Sequence, residues 1–221
     1  MSRMPGAGGR KVSRAAVVVA HPDDEILWMG GTLLMHSDHR WNIVTLCRGS
    51  DPDRAPKFFT VLRHLGASGT MGDMNDGPEQ DPLMPQEVRE AVLKLLAGNR
   101  CFDVMFTHSP RGEYTRHRRH EEVGRAICDL WTAAELDLGE LRLFAYSDAG
   151  RSRYPAAIET AHSTTKLSEE VFREKLRIIT ELYGFPPEGW EARACPQVEA
   201  FWCFREPEEL IRWLEQGGLE P

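Results

Sequence analysis

The chain has 221 residues, 41% of them hydrophobic, enough to bury the core of one α/β unit. With 34 acidic against 27 basic residues its net charge is −7, which argues against nucleic acid as a partner, since phosphate neutralisation needs clustered Lys and Arg. Five cysteines with no C-x-x-C pair favour reduced thiols in a cytoplasmic compartment, and no apolar run reaches the roughly 18 residues of a membrane span.

Residues 1–13 lack the apolar centre of a signal peptide and are expected to form a flexible tail, with residues 14–221 as a single domain. Ala15–Ala20 is apolar throughout, as a strand buried on both faces should be. Ile26–His36 reads as helix, Asn42–Cys47 as strand, Lys57–Leu65 as helix and Thr70–Gly72 as a short strand. In "PQEVREAVLKLLAG" Pro85 opens and Gly98 closes a helix whose Val88, Ala91, Val92 and Leu95 share a face. Phe102–His108 follows as strand, Glu121–Trp131 as helix, Leu141–Tyr146 as strand and Glu169–Tyr183 as helix. A short apolar piece at Val198–Phe204 and a helix over Glu208–Gln216 complete the chain. This alternation predicts a Rossmann-like α/β fold, a mainly parallel sheet with helices on both faces.

In such sheets the working site lies beyond the carboxyl ends of the strands. "HPDDE" (His21–Glu25) follows the first strand and "THSPRGEYTRHRRH" follows the Phe102–Phe106 segment, so both bring histidines to one edge. A catalytic zinc takes three protein ligands, usually imidazole nitrogen and carboxylate oxygen, plus an open position. His21 and Asp24 supply one of each. The third must come from elsewhere, with His117 and His120 as candidates: stepping back from the core positions Val123, Ile127 and Leu130 by three reaches His120, then His117. Asp23 is then free to face the open position and take a proton from a water acidified by the metal. A protonated His117 would stabilise the oxyanion or protonate a leaving amine. Alone, "HPDDE" also reads as a capped helix start and "RHRRH" as a solvated basic face; their joint placement favours a site. His36, His39, His64 and His162 are isolated and expected to be structural or superficial, and His108 to line the site without ligating. Gly30-Gly31 is expected to let a helix approach the sheet closely.

"AHPDDE", the "GG-T" after it and "GEYTRHRRHEEVG" together resemble the PIG-L/LmbE-like family of zinc-dependent N-deacetylases, over roughly Ala15 to Val123. The resemblance implies removal of an acetyl group from N-acetylglucosamine units in small glycoconjugates, with one Zn2+ per chain held by His21, Asp24 and His120. It further implies Asp23 as general base, His117 as the group stabilising the tetrahedral intermediate, and Arg54 and Asp76 as sugar contacts. One departure stands out: the acid inside the family's H-x-D-H motif is Arg119 here, a cation expected to lower the pKa of His117, with Glu113, Glu121 or Glu122 as substitute partners. The same donor set also suits iron, cobalt, nickel or manganese.

The expected protein is a cytoplasmic hydrolase acting on a small amino-sugar conjugate, without nucleic acid or a transmembrane segment; a homo-oligomer is compatible with the sequence. Two rivals remain: a same-fold amide or ester hydrolase with a non-sugar substrate, and a metal-containing binding protein without turnover.

Overall fold

The computed structural model describes residues 13–114, 117–148 and 154–218, so the expected tail lies outside them but for Ser13. The first apolar run becomes the central strand. β1 (Arg14–Val19), buried at every position after Arg14, pairs in parallel on both sides. One neighbour is β2 (Arg40–Thr45), with β3 (Ser68–Met71) parallel beyond it; the other is β4 (Val104–Thr107). β5 (Leu141–Phe144) extends the parallel set from β4. Two antiparallel pairings complete the sheet: β7 (Val198–Phe204) runs against β5, and β6 (Ser163–Lys166) runs against β7 at the edge, giving the order β6-β7-β5-β4-β1-β2-β3.

Strand alternation sends successive β1 side chains to opposite layers. Ala16 and Val18 pack with Val92 of α3 (Pro85–Leu95), Ile127 of α4 (Arg118–Thr132) and Trp213 of α7 (Pro207–Glu215). Ala15, Val17 and Val19 pack with Ile26 of α1 (Asp24–Met35), Phe58 of α2 (Arg54–Leu65) and Ile178, just past α5 (Glu169–Arg177). The fold is therefore the mainly parallel, doubly covered sheet expected. Among the described residues no helix is long and apolar enough to cross a membrane.

The differences from the expected elements have physical reasons. β6, "STTK", alternates half-buried and exposed positions with no large apolar residue, so edge pairing rather than burial makes it a strand. The helix expected over Glu169–Tyr183 gives way after Arg177 to a π-turn, Ile178–Leu182, and a short α6 (Trp190–Ala194) follows. α1 breaks at Met29 (φ −146°, ψ 20°) and restarts at the glycine pair. The restarted turn needs acceptors for its free N–H groups. Gly31 and Thr32 donate theirs to the two Glu199 oxygens at 2.7 Å each, and buried Lys175 completes the set at 2.8 Å. A Cβ on Gly31 would lie 2.3 Å from Leu167, so the close approach expected of Gly30-Gly31 is made against the residue following β6.

Candidate active site

β1 delivers its chain to the carboxyl edge of the sheet and turns sharply. Asp23 takes φ 124° and ψ −28°, a conformation an L side chain rarely adopts, and its carbonyl accepts from Ile26 and Leu27 to start α1. The strained turn separates the two acids. Asp24 is buried, its Oδ2 accepting the His21 N–H at 2.8 Å and its Oδ1 accepting from Trp28 Nε1 at 3.2 Å. Asp23 faces the cavity with 17% of its side chain exposed.

The second half of the site comes from β4 and α4. His108, directly after β4, is fully buried, with Nδ1 3.0 Å from Glu113 Oε1. The Ala20 N–H points at His108 Nε2 at 3.0 Å, which requires a lone pair there and puts the ring proton on Nδ1. Burial opposes a charge on this ring, yet Glu113 and Asp24 push its pKa to about 9. That tendency conflicts with the Ala20 donation, and the neutral ring satisfies the hydrogen bond. Glu113 gives its other oxygen to His120 Nδ1 at 2.7 Å. α4 starts at Arg118, earlier than expected, so His120 lies in its first turn and His117 stands at the N-cap position without a side-chain capping bond. A Cβ on Gly124 would lie 2.4 Å from the His108 carbonyl oxygen; only glycine lets α4 seat this close to the strand end.

These elements bring three donor atoms into a triangle. His21 Nδ1 lies 3.2 Å from Asp24 Oδ2, His120 Nε2 lies 3.2 Å from His21 Nδ1, and His120 Nε2 lies 3.4 Å from Asp24 Oδ2. A tetrahedral ion with bonds of about 2.0–2.1 Å spaces its donors about 3.3–3.4 Å apart, so the triangle fits zinc. Two of the outward atoms are held as well, His120 by Glu113 and Asp24 by Trp28, while His21 Nε2 lies 3.2 Å from Asp76 Oδ1 without hydrogen-bond alignment. Burial would lower the His21 pKa, but Asp24 and Asp76 outweigh it and push it to about 10, so the local field favours positive charge at this point. Burial would raise Asp24, and the surrounding imidazoles of His120, His108 and His21 instead hold it well below the usual carboxylate range. Cys47 also approaches His21 and Asp76, but burial pushes its thiol up to about 12, a poor metal donor.

The remaining expected site residues surround the triangle. Burial and the Asp24 charge raise Asp23 well above the usual carboxylate range, against His21 and Arg54. Arg54 Nη1 lies 3.9 Å from Asp23 Oδ2, its guanidinium 4.3 Å from the centre of the Phe185 ring. Asp76 accepts from Arg48 Nε and Nη2 at 3.0 and 2.7 Å and from Gln80 at 2.9 Å, so its oxygens are engaged within the chain. His117 stacks on His120 with ring centres 4.4 Å apart. Its pKa falls to about 4, through burial and then the charges of His120 and His21.

That lowering has a different cause from the one expected of Arg119. The Arg119 side chain turns away, buried, and donates to the carbonyls of Asn75 and Asp81 and to Glu122. It ties α4 to the loop carrying Asp76. Glu122 is committed to Arg119 and to the Leu83 N–H, and Glu113 to His108 and His120, so neither partners His117. His36 and His39, expected to be isolated, instead bring donor atoms together with Asp38 at the end of α1. Glu113, expected beside His117, instead backs His108 and His120, and Arg48, which holds Asp76 at the cavity, carries no signal in the sequence.

A cavity of about 530 Å3 opens over the triangle, walled by Leu27, Trp28, Arg48, Arg54, Tyr114 and Trp190 among others. The fold is of the Rossmann-like α/β class, with its polar cavity at the carboxyl ends of the parallel strands. Residues 16–131 match the family model described as PIG-L, GlcNAc-PI de-N-acetylase, and the chain belongs to that family, which makes it a hydrolytic deacetylase. Among solved structures it is similar to the A40926 pseudoaglycone deacetylase, at 14% identity over 88% of this chain and 98% of that one, with a TM-score of 0.62. A leucoanthocyanidin reductase–NADPH complex from Vitis vinifera aligns at 14% identity over 58% and 48% of the two chains, with a TM-score of only 0.30. No curated protein matches the chain.

Proposed function

We propose that the protein is a zinc-dependent N-deacetylase that hydrolyses the acetamido group of an N-acetylglucosamine-type sugar or conjugate. The observation that supports this reading is the triangle of His21 Nδ1, Asp24 Oδ2 and His120 Nε2 opening onto a cavity beside Asp23. Zinc held by these three residues would supply Lewis-acid polarisation and a lowered pKa for a water. Asp23, with its raised pKa, is placed to take a proton from a water that adds to the acetyl carbonyl carbon. His117 donates an imidazole N–H to the developing oxyanion. Asp23 then returns the proton to the nitrogen as the C–N bond breaks, releasing acetate and the free amine. Arg54 orients the sugar hydroxyls at the cavity wall, where Asp76, held by Arg48 and Gln80, offers them its remaining acceptor capacity.

The test is acetate release by the zinc-loaded protein from a panel of N-acetylglucosamine conjugates, with Asp23→Asn alongside. The expected result is turnover by the wild type and a loss of at least about 100-fold in the variant with its zinc retained. Turnover confined to non-sugar amides or esters would overturn the substrate assignment. No turnover of any acyl substrate by a fully zinc-loaded protein would leave a binding protein.

A further inference from the structure

Asp23 holds a backbone conformation that its own side chain disfavours, so something must impose it. Glu25, fully buried, accepts the Asp23 N–H on Oε2 at 3.0 Å. Its other oxygen accepts the hydroxyl of Tyr183, also buried. Tyr183 ends the π-turn, its N–H donating to Ile178 at 2.9 Å. Such wide turns shift the side chains that follow relative to an α-helix and occur often at functional sites. The same segment carries Phe185, whose ring lies under the Arg54 guanidinium, and Arg54 Nη1 is 3.9 Å from Asp23 Oδ2.

We infer that Glu25 and Tyr183 are positioning residues for Asp23: the turn Ile178–Phe185 reaches back from the C-terminal third to hold the acid at the cavity. This rests on the reading of Asp23 as the general base. Neither side chain enters the cavity wall, so each acts through Asp23 rather than on substrate. The assignment gives a role in the reaction to a segment beyond residues 16–131, the stretch matched by the family model.

The test uses the full-length chain with Tyr183→Phe, which removes only the hydroxyl, and Glu25→Gln, which keeps an acceptor for the Asp23 N–H. Two readouts are taken: amide hydrogen exchange at Asp23 by NMR, and kcat, KM and zinc content of the loaded enzyme. For Tyr183→Phe we expect faster exchange at Asp23 and a kcat lowered about 10- to 100-fold, with KM and zinc unchanged. Glu25→Gln should lose less kcat than Glu25→Ala, a partial rescue that a purely structural role would not produce. Unchanged exchange, or wild-type kcat at full zinc occupancy in both Tyr183→Phe and Glu25→Ala, would overturn the inference. If the wild type hydrolyses no N-acetyl sugar, the functional reading fails while the exchange data still decide whether the turn holds Asp23. Should Tyr183→Phe fail to fold, Glu25→Gln and Glu25→Ala carry the same comparison.

Discussion

Glu113 Oε2 receives Nδ1 of His120 at 2.7 Å, and that contact fixes which nitrogen of His120 faces His21 and Asp24. A carboxylate behind a ligating imidazole sets its tautomer and ring orientation. Glu113→Ala is therefore expected to weaken zinc binding about 10- to 100-fold while the sheet stays folded. Competition against a chelator of known affinity measures it. Zinc affinity equal to wild type would mean that packing alone orients His120.

Gly124 sets the height of α4. Any Cβ there meets the His108 carbonyl at 2.4 Å and the Ser109 backbone at 2.8 Å, and backbone cannot move aside as a side-chain tip can. Gly124→Ala should destabilise the protein by about 1–3 kcal/mol and also weaken zinc binding, because the shift displaces His120. Urea unfolding and zinc titration of one sample test both parts. A loss of stability with intact zinc affinity would separate helix seating from the site.

The next prediction runs against the family pattern. Arg119→Asp recreates the H-x-D-H spacing, yet the space around residue 119 is built for a guanidinium with two carbonyls and Glu122 as acceptors. The variant would place a buried acid against those acceptors and strip the 75–81 loop of its tie. The expected result is lower stability by about 3–5 kcal/mol and faster proteolytic cleavage in that loop, with no gain in turnover. Wild-type stability with higher kcat would show that His117 lacks only its acid.

Lys175 and Glu199 form a wholly buried pair beneath the restart of α1. Removing the cation leaves Glu199 with backbone donors and no countercharge. Lys175→Met should cost about 3–5 kcal/mol in chemical denaturation, whereas replacing both residues by apolar ones should cost less than the single change. A single variant as stable as wild type would show that the Gly31 and Thr32 donors suffice for the carboxylate.

The sequence reveals the parallel core because its signals are local: the unbroken apolar run before His21, the proline and glycine bounding α3, the spacing of Val123, Ile127 and Leu130. That His21 and Asp24 meet histidines from the segment after β4 was legible because strand ends in such a sheet share one edge, whereas the choice of His120 over His117 came only from the family resemblance. What escaped depends on long-range partners. The direction of Arg119 is decided by carbonyls at Asn75 and Asp81, and the break at Met29 by Glu199. The π-turn has no periodic signature, because Ile178 and Ile179 continue the helical pattern into it. β6 carries too little apolar surface to announce itself.

The span of these contacts along the chain bears on how the protein is made. His120 meets His21 across 99 positions, Tyr183 meets Glu25 across 158, and Glu199 meets Gly31 across 168. Such distant closures come late in folding, and a ribosome releases the N-terminal segment first. His21 and Asp24 therefore emerge long before the partners that shape them. Until β7 docks, the nascent chain presents an unfinished pocket and a helix without its buried acceptor. The last strand to be synthesised is thus a checkpoint: a truncated or stalled product keeps the "HPDDE" sequence but not the geometry that gives it meaning.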